Sequence, residues 1–508
     1  MSKFLAFDLG AESGRAVVGH LRDDRLRLEE IHRFPNGPVQ VLDSLHWDVL
    51  RLWSEIKHGL ALAAQAYGDD LVSVGLDTWG VDFGLLAADD SLLGNPYHYR
   101  DSRTDGMLEE AFRVVPKAEI YERTGIQFMQ INSLYQLLSL AKTSSSALSC
   151  AQTFLNMPDL FNFWLSGRKA SEFTIVTTSQ CYDPRAGGWA RGMIERLGIP
   201  AHIFGEIVSP GTILDNLRSS VAAETGCPAI PVVASACHDT ASAVAAVPAL
   251  STAEGHLLSG GEGPTTEAGY IYISSGTWSL MGVEANEPII TEKSLAYDFT
   301  NEGGVGGTFR FLKNIMGLWL VQECRREWAR AGKDHSYDEL TQLAEAAPAF
   351  GSLVAPSDSR FLSPGDMPGR IQDYCRETSQ PVPETKGAIV RCALESLALE
   401  YRWVAERLDE IVSRPLPAIH IFGGGSRNIL LNQFTADATG RTVITGPVEA
   451  TAIGNVLVQA IALGYVTGSA EGRALIRRSF EVEIYEPHDT GAWDAAYERY
   501  LKLKGKSL

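Results

Sequence analysis

Two similar runs of apolar residues, each broken by a glycine turn, stand out from the hydrophobic pattern of the chain. Each run predicts a buried strand, a tight turn and a return strand. The three parts are residues 4–9, 10–14 and 15–21 in the first hairpin, and 270–274, 275–278 and 279–283 in the second. Because one design recurs in both halves of the chain, it suggests a duplicated domain. Two unrelated hairpins would give the same pattern, since hairpins are common.

Strand and helix patterns alternate along the rest of the chain. Short apolar runs predict further strands at 72–77, 230–236, 418–422 and 442–444. Apolar positions at helical spacing predict helices at 238–246, 312–330, 388–411 and 450–463. A glycine break at 423–425 separates one of these strands from a helix that we expect to begin at 426–428. This alternation is typical of an α/β protein.

The length of the chain favours more than one domain. At 508 residues it exceeds what a single hydrophobic core usually serves. The span 249–268 is rich in Gly, Ser and Thr and predicts a loop that joins two halves.

Charge and hydropathy narrow the range of partners. The chain has 44 Lys and Arg residues against 62 Asp and Glu residues, a formal net charge of −18. Nucleic acid is therefore a poor partner, because a polyanion would meet an acidic body. Asp8 interrupts the first apolar stretch and no window approaches 18 apolar residues, so we expect neither a signal peptide nor a membrane partner. No obligate protein partner is evident.

The seven cysteines show no C-x-x-C spacing, which disfavours zinc sites and a disulfide framework. Cys375 and Cys392 lie near enough in sequence to pair, but reduced thiols are favoured. We therefore expect a cytoplasmic protein.

Three glycine turns that follow strands are candidates for binding phosphate, since no Cβ keeps their backbone N–H groups from an anion. They lie at 10–14, 276–277 and 423–425, and are accompanied by the hydroxyls of Ser13, Thr277 and Ser426. Three such turns indicate a polyphosphate more strongly than one does. The P-loop, G-x-G-x-x-G, G-x-S-x-G and H-E-x-x-H motifs are all missing, so a dehydrogenase and a serine hydrolase are weak candidates.

Phosphoryl transfer also needs Mg²⁺ and a base for the acceptor hydroxyl. Asp8 ends the first strand, where it could hold Mg²⁺ directly or through water. Asp77, Asp82 and Asp239 are the candidate bases, and Asp239 has His238 beside it. Each of the three also has a structural interpretation, as a helix cap for Asp239 and as turn residues for the other two.

A set of motifs is spread along the chain, at residues 7–15, 32–37, 77–83, 99–104, 237–240, 274–279, 300–304, 312–319 and 446–450. In these motifs the chain resembles the FGGY carbohydrate kinases, over about residues 3–487. It implies two actin/hexokinase-like (ribonuclease H-like) ATPase domains, with the active site in the cleft between them. The implied boundaries are 1–247 for the N-terminal domain with sugar and base, 248–268 for a connecting loop, 269–487 for the C-terminal nucleotide domain, and 488–508 for a tail.

The resemblance also implies roles for individual residues. Those implied for ATP are Ala11, Glu12, Ser13, Gly14, Arg15, Thr277, Gln322 and Gly424. Those implied for the ketose are Gly80, His238, Asp239, Thr240 and Asn314, with Asp239 as the base. Glu12 has no assigned contact, because an acid in a phosphate loop is repelled by ATP unless it points away or meets Mg²⁺.

The implied reaction transfers a phosphoryl group from ATP, with Mg²⁺, to the 1-hydroxyl of L-rhamnulose. The partners would be this small ketose and ATP. Two alternatives stay open. One is an FGGY kinase for L-fuculose, xylulose or glycerol, and the other is a catalytically silent sugar-binding regulator, since a fold alone does not determine activity.

Overall fold

The computed structural model describes residues 2–248, 269–412 and 416–505. The chain divides into two compact units. The first consists of Met1–Leu250, Glu284–Phe311 and Ala450–Phe480, and the second of Ser251–Val283, Leu312–Glu449 and Glu481–Leu508.

The strands and helices alternate as the apolar pattern predicts. The strands are β1 Ser2–Leu9, β2 Ser13–Arg22, β3 Arg25–Pro35, β4 Pro38–Val41, β5 Ser44–Trp47, β6 Leu71–Thr78, β7 Phe83–Leu86, β8 Thr153–Asn156, β9 Ser171–Glu172, β10 Tyr182–Asp183, β11 Gly188–Trp189, β12 Ile207–Val208, β13 Thr212–Asn216, β14 Pro231–Ala234, β15 Tyr270–Ser275, β16 Trp278–Ala285, β17 Thr300–Gly303, β18 Phe309–Met316, β19 Ala418–Phe422, β20 Thr442–Thr445 and β21 Glu483–Tyr485. The helices are α1 Val49–Tyr67, α2 Met107–Val114, α3 Lys117–Thr124, α4 Ser133–Lys142, α5 Ser146–Cys150, α6 Met157–Ser166, α7 Phe173–Val176, α8 Arg191–Arg196, α9 Ser219–Thr225, α10 Asp239–Ala245, α11 Glu292–Ala296, α12 Trp319–Arg330, α13 Tyr337–Glu345, α14 Met367–Glu377, α15 Lys386–Val412, α16 Ile429–Thr439, α17 Ala450–Ala462, α18 Ser469–Ser479 and α19 Thr490–Lys504.

The first unit is built on a mixed sheet with the strand order β13-β14-β6-β1-β2-β3. β1 pairs antiparallel with β2 and parallel with β6, and the parallel ladder places Asp8 opposite Asp77. The apolar residues of β1 are fully buried, because α1 and α17 both pack against β1 and β6. Burial on both faces explains why this strand reads as a continuous apolar run. The parallel pairing of β1 with β6 places Asp8 and Asp77 side by side at the carboxyl ends of these strands.

The second large sheet has the order β17-β18-β16-β15-β19-β20-β21, and it repeats this plan from β18 to β21. β15 pairs antiparallel with β16 and parallel with β19, as β1 does with β2 and β6. β19 then pairs parallel with β20, and β20 antiparallel with β21. The first sheet has the same sequence of pairings through β6, β14 and β13. The two predicted hairpins therefore belong to sheets that share one topology. The predicted α/β class is confirmed.

One predicted helix is wrong in its first part. The helix predicted at 312–330 begins only at Trp319, and Phe309–Met316 is the strand β18. Nearly every residue of β18 is buried. Because residues on both faces of β18 are buried, its sequence lacks a regular apolar–polar alternation, and periodicity does not separate it from a buried helix. The helix start expected at 426–428 is confirmed at Asn428, which caps α16 (Ile429–Thr439) after a short 3₁₀ turn at Gly424–Arg427.

The units are discontinuous in sequence, whereas the predicted domains are contiguous. Ala450–Phe480 falls in the first unit because α17 packs against β1, β6 and α10. The tail predicted at 488–508 contains α19, which packs on α15 and α16 in the second unit. Apart from Pro248, the connecting loop predicted at 248–268 lies outside the described residues. The functional domain boundaries stay a prediction.

Within residues 2–248, 269–412 and 416–505, no helix combines the length and the apolar character that crossing a membrane requires.

Candidate functional site

The first predicted phosphate loop joins β1 to β2. An ion pair links the two strands where they flank the loop. Arg15 donates from Nε and Nη2 to Asp8 Oδ2, at 3.0 and 2.6 Å. Both side chains are mostly buried, so the pair neutralises charge at a point where hydration is limited. Asp8 and Arg15, predicted for Mg²⁺ and for ATP, are thus brought together at the start of the loop.

The loop itself is held by backbone contacts. Gly10 N donates to Ser13 O at 2.9 Å, and Asn36 donates from its backbone N to Glu12 O, also at 2.9 Å. A Cβ on Gly14 would lie 2.3 Å from a ring carbon of Phe34, so only glycine allows this approach. The side chain of Glu12 is exposed, while Ala11 and Ser13 are half-buried.

Of the three candidate bases, Asp77 is wholly buried. Asn455, on α17, donates to its Oδ2 at 2.6 Å. Burial raises the pKa of Asp77 well above its ordinary value, and the nearby charges of Asp8 and Asp239 raise it further. Asp77 is 0% exposed, so a substrate hydroxyl has no access to it.

Asp82 is also enclosed, because three side chains occupy its carboxylate. Trp47 and Trp79 donate from Nε1 to Oδ2 at 2.6 and 2.9 Å, and Gln136 donates to Oδ1 at 2.9 Å. Only 1% of the residue is accessible. Burial raises the pKa of Asp82 to about 6 against the effect of these hydrogen bonds. Asp82 organises the two tryptophans around it.

Asp239 differs from the other two in being accessible. It is the first residue of α10, and 32% of its side chain is exposed. Its Oδ1 accepts hydrogen bonds from the backbone N–H and the hydroxyl of Thr240, the latter at 3.0 Å. Crowding by the surrounding protein raises the pKa of Asp239, His238 lowers it and Asp8 raises it. A carboxylate with a raised pKa and open access suits proton abstraction.

The ring of His238 lies near both Asp239 and Gly80, which is in the turn after β6. Its Nε2 is 3.4 Å from Asp239 Oδ1, and a Cβ on Gly80 would come within 3.3 Å of the same nitrogen. The backbone N of His238 donates to Thr174 Oγ1 at 3.1 Å. The structure thus brings together four residues predicted for the ketose: Gly80, His238, Asp239 and Thr240.

Two further charged residues, for which the sequence motifs predicted no role, contact His238. Arg310 on β18 and Glu302 on β17 both contact Nδ1 of the ring. A signal for Arg310 was present, because an arginine between Phe309 and Phe311 is unusual in a buried strand. Glu302 lies in the 300–304 segment, for which the family resemblance supplied no role.

In the second unit, the turn that carries Thr277 leads from β15 to β16. The carbonyl of Thr277 accepts hydrogen bonds from Gly317 N and Trp319 N, at 3.1 and 3.2 Å. Gly276 O accepts from Leu318 N at 3.0 Å. These bonds fix the turn against the start of α12.

The second glycine turn of this unit follows β19, the parallel neighbour of β15. Gly423 has φ of 83°, in the region that favours glycine. A Cβ on Gly425 would lie 2.1 Å from Ser275 Oγ, whereas a Cβ on Gly424 would meet no atom within 4 Å. Two glycine turns therefore lie side by side, and Gly424 faces open space.

Gln322 and Asn314 are the remaining predicted contacts. Gln322 is in the first turn of α12, and its Oε1 is buried without a hydrogen-bond partner in the described residues. A buried amide oxygen of this kind is suited to a ligand donor. Asn314 lies half-buried on β18 within the second unit. Gln322 lies near the Thr277 turn, because Leu318 bonds both the Gly276 carbonyl and Gln322 N.

Comparison with protein families accounts for most of the chain. Residues 3–246 match the N-terminal domain, and residues 271–463 the C-terminal domain, of the FGGY family of carbohydrate kinases. The chain belongs to the FGGY family of carbohydrate kinases. The family expected from the sequence motifs is thereby confirmed, and with it the expectation of a carbohydrate kinase.

Individual relatives cover nearly the full length of this FGGY chain. A rhamnulokinase of Bacteroides thetaiotaomicron is 47% identical over 494 residues, which span 97% of this chain and 98% of the relative. A rhamnulokinase of Halalkalibacterium halodurans is 43% identical over 489 residues, spanning 96% of this chain and all of the relative.

Solved structures share the fold at low identity. A ligand-bound xylulose kinase from Lactobacillus acidophilus superposes with a TM-score of 0.81 at 14% identity, covering 100% of this chain and 98% of that one. Plasmodium falciparum glycerol kinase with ADP gives 0.76 at 14% identity, with the same coverage. These likenesses establish the two-domain α/β fold.

Proposed function

We propose that this chain transfers the γ-phosphoryl group of ATP to the 1-hydroxyl of L-rhamnulose, giving L-rhamnulose 1-phosphate and ADP. We infer the substrate from relatives named rhamnulokinase, which are 37–47% identical over at least 95% of this chain. Kinases of this family use ATP. The single structural observation that supports the proposal is the accessible carboxylate of Asp239, beside His238 and Gly80.

In the proposed reaction Asp239 takes the proton of the 1-hydroxyl while that oxygen forms a bond to the γ-phosphorus. The bond from the γ-phosphorus to the bridging oxygen breaks, and its electron pair leaves with ADP. Asp77 and Asp82 are unsuited to this role because both are enclosed. Gly80, His238, Thr240 and Asn314 are proposed to bind the ketose.

The nucleotide is proposed to use backbone groups and a few polar side chains. Those assigned to its phosphates are residues 11–15 and Thr277, with Gly424 and Gln322 at the nucleotide. The open space above Gly424 and the unpartnered Oε1 of Gln322 fit this assignment. The net charge of −18 disfavours the binding of anions by the chain as a whole. The proposed ATP site therefore uses local backbone N–H groups of the turns.

Mg²⁺ is proposed to accompany ATP, with Asp8 as the residue that would hold it through water. Mg²⁺ usually keeps several waters and uses one or two carboxylates plus substrate phosphates. Asp8 fits that limited role, since Arg15 occupies its Oδ2 and the described residues contain no group of three or more metal-ligating side chains. When bound, Mg²⁺ neutralises charge on the phosphate oxygens. We also propose the cytoplasm as the location, where the seven cysteines would stay free thiols, as they are in the structure.

The test is an ADP-release assay with ATP and Mg²⁺, in which L-rhamnulose is compared with L-fuculose, D-xylulose and glycerol. We expect L-rhamnulose to give the highest kcat/KM, and Asp239→Asn to abolish most of the signal. A higher kcat/KM for another acceptor would reassign the substrate. Sugar binding without ADP release would indicate a silent regulator instead.

A further inference from the structure

A fully buried arginine of the first unit contacts the histidine beside the proposed base. Arg310, on β18, is 0% exposed. Its Nη2 lies 2.9 Å from His238 Nδ1 and 3.1 Å from Glu302 Oε2, and its Nε donates to Gly303 O at 2.8 Å. A guanidinium removed from water costs several kcal/mol unless it is paired. Glu302 supplies the neutralising charge, so the arginine is held in place against His238.

The chemistry of the guanidinium determines where His238 carries its proton. Arginine has donors and no acceptor. Nδ1 of a neutral His238 must therefore accept from Arg310, which leaves the proton on Nε2. That nitrogen faces Gly80 and lies 3.4 Å from Asp239 Oδ1. The protonated nitrogen of the ring is thus presented on the side of the proposed base.

Glu302 alone would favour the opposite tautomer. Its Oε2 is 3.3 Å from His238 Nδ1, where it would accept a hydrogen bond from an Nδ1–H. The lone pair of Nε2 would then face the Asp239 carboxylate, and two acceptors would repel each other. Arg310 opposes this, because its Nη2 is 2.9 Å from Nδ1, closer than Glu302 Oε2, and a guanidinium N–H can only donate to that nitrogen. Among the described residues, the charged side chains that contact the His238 ring are Asp239, Glu302 and Arg310.

We propose that Arg310, anchored by Glu302, is a positioning residue that keeps His238 as the Nε2–H tautomer, so that the ring donates toward Asp239 or a sugar hydroxyl. This inference rests on the proposed function, because it assigns both residues to the same site. It gives a role to the 300–304 segment and to the arginine inside β18.

The test compares Arg310→Met with wild type by steady-state kinetics and by ¹⁵N NMR of histidine-labelled protein, with His238→Gln used to assign the signal. We expect kcat to fall roughly 10- to 100-fold, the usual cost of losing a group that orients a functional histidine. We expect KM for ATP to change less than about twofold, and the His238 signal to change from Nε2–H to Nδ1–H.

A double variant separates positioning from stability. Glu302→Gln combined with Arg310→Met removes both buried charges and offers an amide donor near Nδ1, so it should regain the Nε2–H signal and part of kcat. It also provides the measurement if Arg310→Met alone does not fold. The matched control is Arg473→Met, which breaks an ion pair with Glu284 in the same unit. It should leave kcat and the His238 signal unchanged.

The outcomes distinguish the two proposals. Folded Arg310→Met with wild-type kcat and an unchanged Nε2–H signal would overturn the role of Arg310. A double variant that folds with wild-type kcat would do the same. If the tautomer changes as expected but wild type does not phosphorylate L-rhamnulose, the positioning role stands and the proposed substrate fails.

Discussion

The two units share a sheet topology but present their candidate site residues in different ways. In the first unit the candidate residues are ionisable side chains, and a second polar or charged side chain supports each one: Arg15 supports Asp8, Asn455 supports the enclosed Asp77, and Arg310 supports His238. In the second unit it is made mainly of two glycine turns that follow β15 and β19. One unit relies on charge and proton placement, the other on close backbone approach.

The difference predicts different sensitivities to mutation. Charged groups in a poorly hydrated place respond to isosteric changes that alter only charge or hydrogen bonding. Glycine turns respond to added volume, because the space beside them is filled by neighbouring atoms. Four predictions test this contrast.

The largest effect is expected at the accessible carboxylate of the first unit. Asp239→Asn keeps the shape of the side chain and removes its basicity, so kcat should fall by roughly 10² to 10⁴. Steady-state kinetics with L-rhamnulose and ATP measures this. Thermal unfolding should match wild type, which would show that the fold is kept. A kcat equal to wild type would remove Asp239 from the reaction.

The next effect is expected from volume added to the second unit. Gly425→Ala places a Cβ against Ser275, and overpacking of this kind costs about 1–3 kcal/mol of unfolding free energy. Denaturant titration measures the loss.

Gly424→Ala is the matched control for this prediction. Its Cβ meets no atom within 4 Å, so the unfolding free energy should change by less than about 0.5 kcal/mol. The KM for ATP should nonetheless rise in Gly424→Ala if the nucleotide occupies that space. Equal stability of the two variants would contradict the close packing at Gly425.

A smaller effect is expected from the hydroxyl of the Thr277 turn. Thr277→Val keeps the shape and removes one hydrogen bond, a change worth about 1 kcal/mol or several-fold in affinity. Titration of each ligand should show weaker ATP binding and unchanged sugar binding. Weaker sugar binding with unchanged ATP binding would reverse the assignment of this turn.

The smallest effect concerns the pH dependence of the first unit. The reaction needs Asp239 as a carboxylate, and its pKa is raised, so kcat/KM should fall on the acid side at a higher pH than an ordinary aspartate would give. The negative charge of Asp8 contributes to that raised pKa. Asp8→Asn should therefore move the acid limb to lower pH, whatever its effect on the maximal rate. A limb that stays in place or moves upward would show that another group controls it.

The apolar pattern predicted the strands and most helix starts, and it was wrong at one helix start. Both hairpins and the strands near 72–77, 418–422 and 442–444 are present, because runs bounded by glycine and polar turns are local signals. The helix predicted from 312 failed at its start. β18 is buried on both faces, and its sequence therefore lacks the alternation that marks a half-exposed strand.

The choice among the three candidate aspartates needed the folded chain. Asp77, Asp82 and Asp239 all follow strands or lie in turns. In the sequence, only the neighbouring residues distinguish one candidate base from another. Access separates them: Asp77 and Asp82 are 0% and 1% exposed, while 32% of the Asp239 side chain is accessible. Burial depends on helices such as α17, whose Asn455 is 378 residues from Asp77.

The sequence by itself determined the class of protein, the repeated glycine hairpins and the residue types available for phosphate and proton transfer. These depend on local patterns and short motifs, which are read directly from the order of residues. Only the tertiary structure decided which carboxylate is open and which arginine sets the tautomer of His238. Arg310 is 72 residues from His238, and contacts at such separations follow from strand pairing and packing, which no local pattern encodes.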